Sequence, residues 1–189
     1  MSVVDNYQSF AITKAADYGD PDAQARLWIL ALGGEIGELA NLTKKWLGHG
    51  HTLDIGKLED EAGDVAWYLA CLCQLAQLEF AEFVETSPSI FPELPKRENI
   101  RDSTQALLLS MQSTQGIMAG MAVYVTSDQM GEVLVASLQR LVALLVELLG
   151  VHCIRIDRVL HLNMNKLNAR YPTGFSAARS RERVRIVKP

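Results

Sequence analysis

Cysteine and proline are scarce in this chain. Of 189 residues, three are cysteines: Cys71, Cys73 and Cys153. The number is odd, and two of the three stand two apart on a predicted helix, where they face apart. That excludes a disulfide framework and fits a reducing, cytoplasmic setting. As a metal signal the Cys-x-Cys pair is weak, and small buried side chains are the expectation. Prolines number six, three of them in one short stretch at positions 88, 92 and 95. The long proline-free stretches on either side favour helices. Alternation of the β type is missing over any useful length, except at 184–187. There is no glycine-rich phosphate loop, no Ser-His-Asp order and no zinc spacing. Residues 1–5 lack the basic start and apolar core of a secretory signal. The most apolar run, 141–151, is interrupted by Glu147 and too short to cross a bilayer. Neither a leader nor a membrane partner is therefore expected. A net charge of −4 argues against nucleic acid as a partner.

What is present is enough for one all-α domain. Hydrophobic residues make up 49%, which excludes a disordered chain, and the length allows a sizeable core. From Arg170 onward there are six basic residues and one acid, so the remainder carries about −9. A basic tail beside an acidic body can hold a phosphate, pair with a partner subunit or be solvated.

Apolar periodicity predicts a bundle of about six helices around a four-helix core. The first spans 5–17. Asp20 caps the second, with Pro21 at its first position, and it runs to about 47. Gly48-His49-Gly50-His51 breaks it, and both histidines read as a solvated turn. A third helix is expected over 54–84, a connecting loop over 87–101, a fourth helix from a cap at Asp102 or Ser103 to about 125, and a fifth from 126–128 to 149. Gly150 ends that one, and a sixth helix spans 152–169. His152 and His161 are expected to pack. The domain is placed at 1–175, with a basic tail at 176–189. Within the helix pairs 21–85 and 103–149, the segment 108–125 resembles 29–46 in length and apolar spacing, and 133–149 resembles the segment that holds Glu61 and Asp64. Thr114 and Ile117 fall opposite Glu35 and Glu38, and Leu138 and Leu141 fall opposite Glu61 and Asp64. This reads as a degenerate internal duplication whose second copy lacks acids.

Those acids are the chief anomaly. Glu35-Ile36-Gly37-Glu38 and Glu61-Ala62-Gly63-Asp64 each lie inside an amphipathic segment. A helix advances about 100° per residue, so Trp28, Leu32, Leu39 and Leu42 all fall within about 60° of Glu35. Leu58, Val65, Tyr68 and Leu72 share the face of Glu61 in the same way, whereas Glu59 points to the opposite side and is expected in solvent. Four carboxylates on apolar stripes are costly unless a cation balances them. Helix bundles whose core metals are held by carboxylates from facing helices are the precedent.

The same residues carry a resemblance. The segment 34–40 with Lys44-Lys45, the Gly-His loop, and Glu61-Ala62-Gly63-Asp64-Val65-Ala66-Trp67-Tyr68-Leu69-Ala70 resemble the E-x-x-E and E-x-x-D signature of the MazG-like, all-α nucleoside triphosphate pyrophosphohydrolases. Asn163-Met164-Asn165-Lys166-Leu167-Asn168-Ala169-Arg170-Tyr171-Pro172-Thr173-Gly174-Phe175 is similar to that family's N-x-x-K-L-x-x-R-Y-P-x-G-F ending. The two blocks cover roughly the first 80 residues and 148–175. The insertion at 85–145 departs from short family members. The resemblance implies Mg²⁺-dependent hydrolysis of a nucleoside triphosphate to the monophosphate and pyrophosphate. It also implies a homodimer or higher homo-oligomer, with a deoxynucleotide as the expected substrate in nucleotide-pool control.

Phosphoanhydride cleavage needs charge neutralisation and an aligned water more than covalent help. Mg²⁺, with Mn²⁺ as a substitute, prefers oxygen ligands and lowers the pKa of a bound water. Glu35, Glu38, Glu61 and Asp64 are the expected ligands and catalytic groups. Asn163, Lys166 and Arg170 recur at i, i+3 and i+7 as a polar stripe for phosphate. Lys45 lies about −20° from Glu38, two turns on. Lys44 matches the family position but points away from Glu35. Trp46 and Tyr68 are candidates for a base slot, and Asn41 for a phosphate or a water. The competing expectation is a nucleotide-binding helical module without turnover.

Overall fold

The computed structural model describes residues 2–90, 99–124 and 131–178. Among them are seven helices and no strand: α1 (Val3–Thr13), α2 (Pro21–Gly48), α3 (Ile55–Leu75), α4 (Phe80–Ile90), α5 (Ile100–Tyr124), α6 (Gly131–Val151) and α7 (Ile156–Arg170). The all-α expectation holds. Much of the basic tail and the predicted start of the fifth helix lie outside the described residues.

The starts follow local side-chain chemistry. Ser2 and Asp5 form a reciprocal capping box at α1. Asp20 accepts from the Asp22 amide at α2, with Pro21 at the first position. Asp54 accepts from the Lys57 amide at 3.1 Å and opens α3.

The first helix ends at Thr13, short of the expected 17, and α5 starts at Ile100, ahead of the expected cap at Asp102 or Ser103; two further departures share one reason. The single helix expected over 54–84 is two helices, α3 and α4. The sixth helix starts at Ile156, not at about 152. At the end of α3 the Leu78 amide bonds back to the Cys73 carbonyl (2.9 Å) and the Gln77 amide to that of Gln74 (3.1 Å). At the end of α6 the Ile154 amide reaches the Leu149 carbonyl (2.9 Å) and the Cys153 amide that of Gly150 (3.0 Å). Both are Schellman closures, with a left-handed residue just past the cap. Gln77 and Cys153 hold that position with φ of 57° each. Glycine is the usual occupant, so neither stop shows in the sequence.

α2 packs against both α3 and α5, α5 against α6, and α6 against α3 and α4, while α1 and α7 lie together on α3. A single cluster of buried apolar residues draws on all seven helices. α6 is apolar and long enough to cross a membrane by composition alone. Its Leu138, Leu141, Val142, Leu145, Leu148 and Leu149 are fully buried within the protein, at roughly 2 kcal/mol each. Leu138 and Leu141, the counterparts of Glu61 and Asp64 in the proposed duplication, therefore sit in the core. Thr114 is buried and accepts a hydrogen bond from Arg140 Nε at 3.2 Å, while Ile117 is exposed.

Candidate metal centre

α2 packs on α3, and Leu32, Ile36 and Leu39 of the first and Leu58, Ala62 and Val65 of the second are buried in the common core. Residues one position off these stripes emerge at the seam's edge. Glu35 from α2 meets Glu61 and Asp64 from α3 there. One carboxylate oxygen of each lies within 4.8 Å of the others, the one such group of possible metal ligands among the described residues. All three are half-buried. Glu38, one turn on, is exposed and outside this triad. The expectation of four core-facing acids is thus narrowed to three at the rim of the core and one in solvent.

Burial and neighbouring charge leave their mark on the ionisation of Glu35 and Glu61. Glu35 is pushed up to about 7, first by burial and then by the charges of Asp64 and Glu61, with Lys166 opposing. Glu61 is raised for the same leading reason, with Asp64, Asp60 and Glu38 adding to it. Glu35, Glu61 and Asp64 offer oxygen donors with an excess of negative charge, a set that could hold a metal ion.

α7 supplies the positive side. Lys166 Nζ lies 2.7 Å from Asp64 Oδ1 and 2.5 Å from Asp60 Oδ1, and its side chain is 14% exposed. Asn163, 2% exposed, donates from Nδ2 to Asp64 Oδ1 at 3.0 Å. It rests directly on the backbone of α3, since a Cβ added at Gly63 would fall 3.0 Å from Asn163 Cβ. Arg170 lines a cleft of about 240 Å³ together with Glu35, Asp64 and Tyr68. Burial, followed by the charges of Glu35 and Asp64, pushes the Tyr68 hydroxyl up to about 12, so it remains a neutral donor. Trp67, Tyr171 and Phe175 complete an aromatic wall in the same cleft.

Two participants carry no sequence signal. Lys14, buried at the end of α1, also lines the cleft and donates from Nζ to the Tyr171 carbonyl at 2.9 Å. Tyr7, fully buried on α1, donates to Asn163 Oδ1 at 2.8 Å. Both lie outside the quoted motif segments 34–70 and 163–175, and their partners are more than 150 residues away.

The other predicted residues are not brought to the triad. Lys44 lines a separate groove with Thr43, Leu47 and Leu108, between α2 and α5. Lys45 is exposed and Asn41 half-buried. Trp46 stands near the end of α2 under the Arg101 guanidinium, 4.9 Å from its ring centre, with the His152 ring edge-on at 6.0 Å. His152 thus packs as expected, whereas His161 is exposed. His49 and His51 are both exposed in their turn. Glu59, expected in solvent, is 7% exposed and paired with Arg158 at 2.5 Å, because α7 covers that second face of α3. A groove of about 720 Å³ between α5 and α6 is lined by Thr114, Ile117, Val133 and Arg140, and none of the expected site residues lines it.

No family model, no curated protein and no solved structure matches this chain.

Proposed function

We propose that the chain is a Mg²⁺-dependent nucleoside triphosphate pyrophosphohydrolase, converting a (d)NTP and water to the (d)NMP and pyrophosphate. The observation that carries the reading is the meeting of Glu35, Glu61 and Asp64 with Lys166 at one edge of the helix bundle. The bound cation would neutralise phosphate charge and activate a water. In the reaction the water oxygen bonds to phosphorus and the α–β phosphoanhydride bond breaks. The water's proton passes to a carboxylate of the cluster, and pyrophosphate leaves. Glu38, one turn from the triad, would hold a further cation. Lys166, Arg170 and Lys14 lie around the cleft as clamps for the remaining phosphate charge. The aromatic wall of Trp67, Tyr68, Tyr171 and Phe175 suits the flat face of a base.

The same reading takes α2, α3, α5 and α6 as a four-helix core in which α5 and α6 are a degenerate copy of the acidic pair. With Leu138 and Leu141 in place of acids, there is one metal site per chain. It also expects a homodimer in the cytoplasm acting on deoxynucleotides. The test is a screen of the purified chain with Mg²⁺ against the common NTPs and dNTPs, read by pyrophosphate release. Activity should be lost in Asp64→Asn and Glu38→Gln with the fold intact. Full activity in both variants would refute the site. Tight nucleotide binding with no pyrophosphate at any Mg²⁺ or Mn²⁺ concentration would favour a binding module.

A further inference from the structure

Asp64 is held by a buried chain of hydrogen bonds that begins on a different helix. The Tyr7 hydroxyl of α1 lies 2.8 Å from Asn163 Oδ1, and Asn163 Nδ2 lies 3.0 Å from Asp64 Oδ1. Tyr7 is 0% exposed and Asn163 is 2% exposed. A carbonyl oxygen only accepts, so the hydroxyl must donate, which commits the amide nitrogen to Asp64. A flipped amide would set its oxygen against the carboxylate. The Tyr7 hydroxyl also approaches the Gly63 carbonyl at 3.4 Å, beside the acid it serves. Among the described residues, the donors recorded for Asp64 are Asn163 and Lys166, and both fall on Oδ1. Oδ2 takes neither of them.

From this geometry we infer that Tyr7 is a positioning residue for the divalent cation. Acting through Asn163, it fixes the rotation of the Asp64 carboxylate so that one oxygen is engaged and the other is presented to Glu35 and Glu61. This rests on the metal-site reading above. Partners that orient metal ligands at one remove typically change metal affinity by about 10–100-fold when removed. Burial keeps the chain dry, so no water replaces a lost hydroxyl.

The test is calorimetric titration of Mn²⁺ alone into the full chain and its variants. Tyr7→Phe should bind about tenfold more weakly or worse, and Asn163→Ala should lose at least as much. The double variant should lose no more than Asn163→Ala, because Tyr7 acts only through Asn163. Gln8→Ala is the control. It removes the bonds of the neighbouring Gln8 to Gln74, to the Leu78 carbonyl and from the Phe80 amide, loosening α1 while leaving every member of the chain to Asp64 in place. It should lower thermal stability and leave Mn²⁺ affinity within about twofold. A second readout is the Asn163 side-chain amide pair in ¹⁵N spectra, which should be hydrogen-exchange protected in the unaltered chain and lose that protection in Tyr7→Phe. Should Tyr7→Phe fail to fold, Asn163→Ala and the amide signals of the unaltered chain decide the matter. Equal Mn²⁺ affinity in the unaltered chain, Tyr7→Phe and Asn163→Ala would overturn the positioning role alone. A loss in the double variant that exceeds Asn163→Ala would also overturn it. No Mn²⁺ binding by the unaltered chain would overturn the metal-site reading, and the positioning role with it.

Discussion

Glu35→Gln should make the metal-free protein more stable while abolishing its function. The Glu35 carboxyl is raised from 4.5 to about 7 in the fold, so ionising it there costs more than in the unfolded chain. At about 1.4 kcal/mol per pK unit, the full penalty above neutrality would be near 3 kcal/mol. The side chain is only half-buried, and solvent screening reduces this to about 1–2 kcal/mol. Glutamine has the same shape without the charge. In a protein of this size the gain corresponds to a melting temperature higher by roughly 2–8 °C. The pH dependence fixes the sign. Below the unfolded pKa the native carboxyl is protonated and nothing is gained by amidation. As pH rises from that value through about 7, the unaltered chain loses stability and the variant does not. Melting curves in chelator at about pH 4 and about pH 8 should therefore show no difference at the first and the full gain at the second. Saturating Mn²⁺ should reverse the order, because the unaltered chain is stabilised by binding and the variant is not. A variant less stable than the parent at high pH, or a shift that is the same at both pH values, would refute the claim that these acids repel one another in wait of a cation.

The remaining predictions concern the surroundings of the triad. Mn²⁺ affinity should fall about tenfold per pH unit below about 7, because the cation must displace the Glu35 proton, and calorimetry across that range checks it. Lys166→Met should tighten metal-only binding several-fold, since its ammonium competes for Asp64, while slowing pyrophosphate release by about tenfold or more. Unchanged metal affinity would show that Lys166 does not compete. Arg158→Ala strands a buried Glu59 and should lower the melting temperature, with Glu59→Gln in the same background restoring part of the loss.

Much of this was legible in the sequence, and the rest was hidden for identifiable reasons. Helical periodicity located the elements, and the off-register acids marked the edge where α2 and α3 meet. A helical wheel sees one seam at a time. It placed Glu59 in solvent because it held no information on α7, whose Arg158 covers that face. It set Glu38 on the apolar stripe because the boundary between rim and solvent depends on neighbours from other helices. The stops at Gln77 and Cys153 were invisible because neither is glycine. Lys14 and Tyr7 act on residues at the other end of the chain, and only docking of α1 beside α7 brings them to the site. Lys44, Lys45 and Trp46 sit two or more turns beyond the triad on α2, a separation of about 10 Å or more along a helix.

Phosphorus NMR of a deoxynucleoside triphosphate incubated with the protein and Mg²⁺ tests directly whether the clustered acids serve cleavage between the α and β phosphates. Monophosphate and pyrophosphate signals should grow equally, stopped by chelator and by Asp64→Asn. Release of orthophosphate with diphosphate, or turnover that survives Asp64→Asn, would contradict that role of the acids.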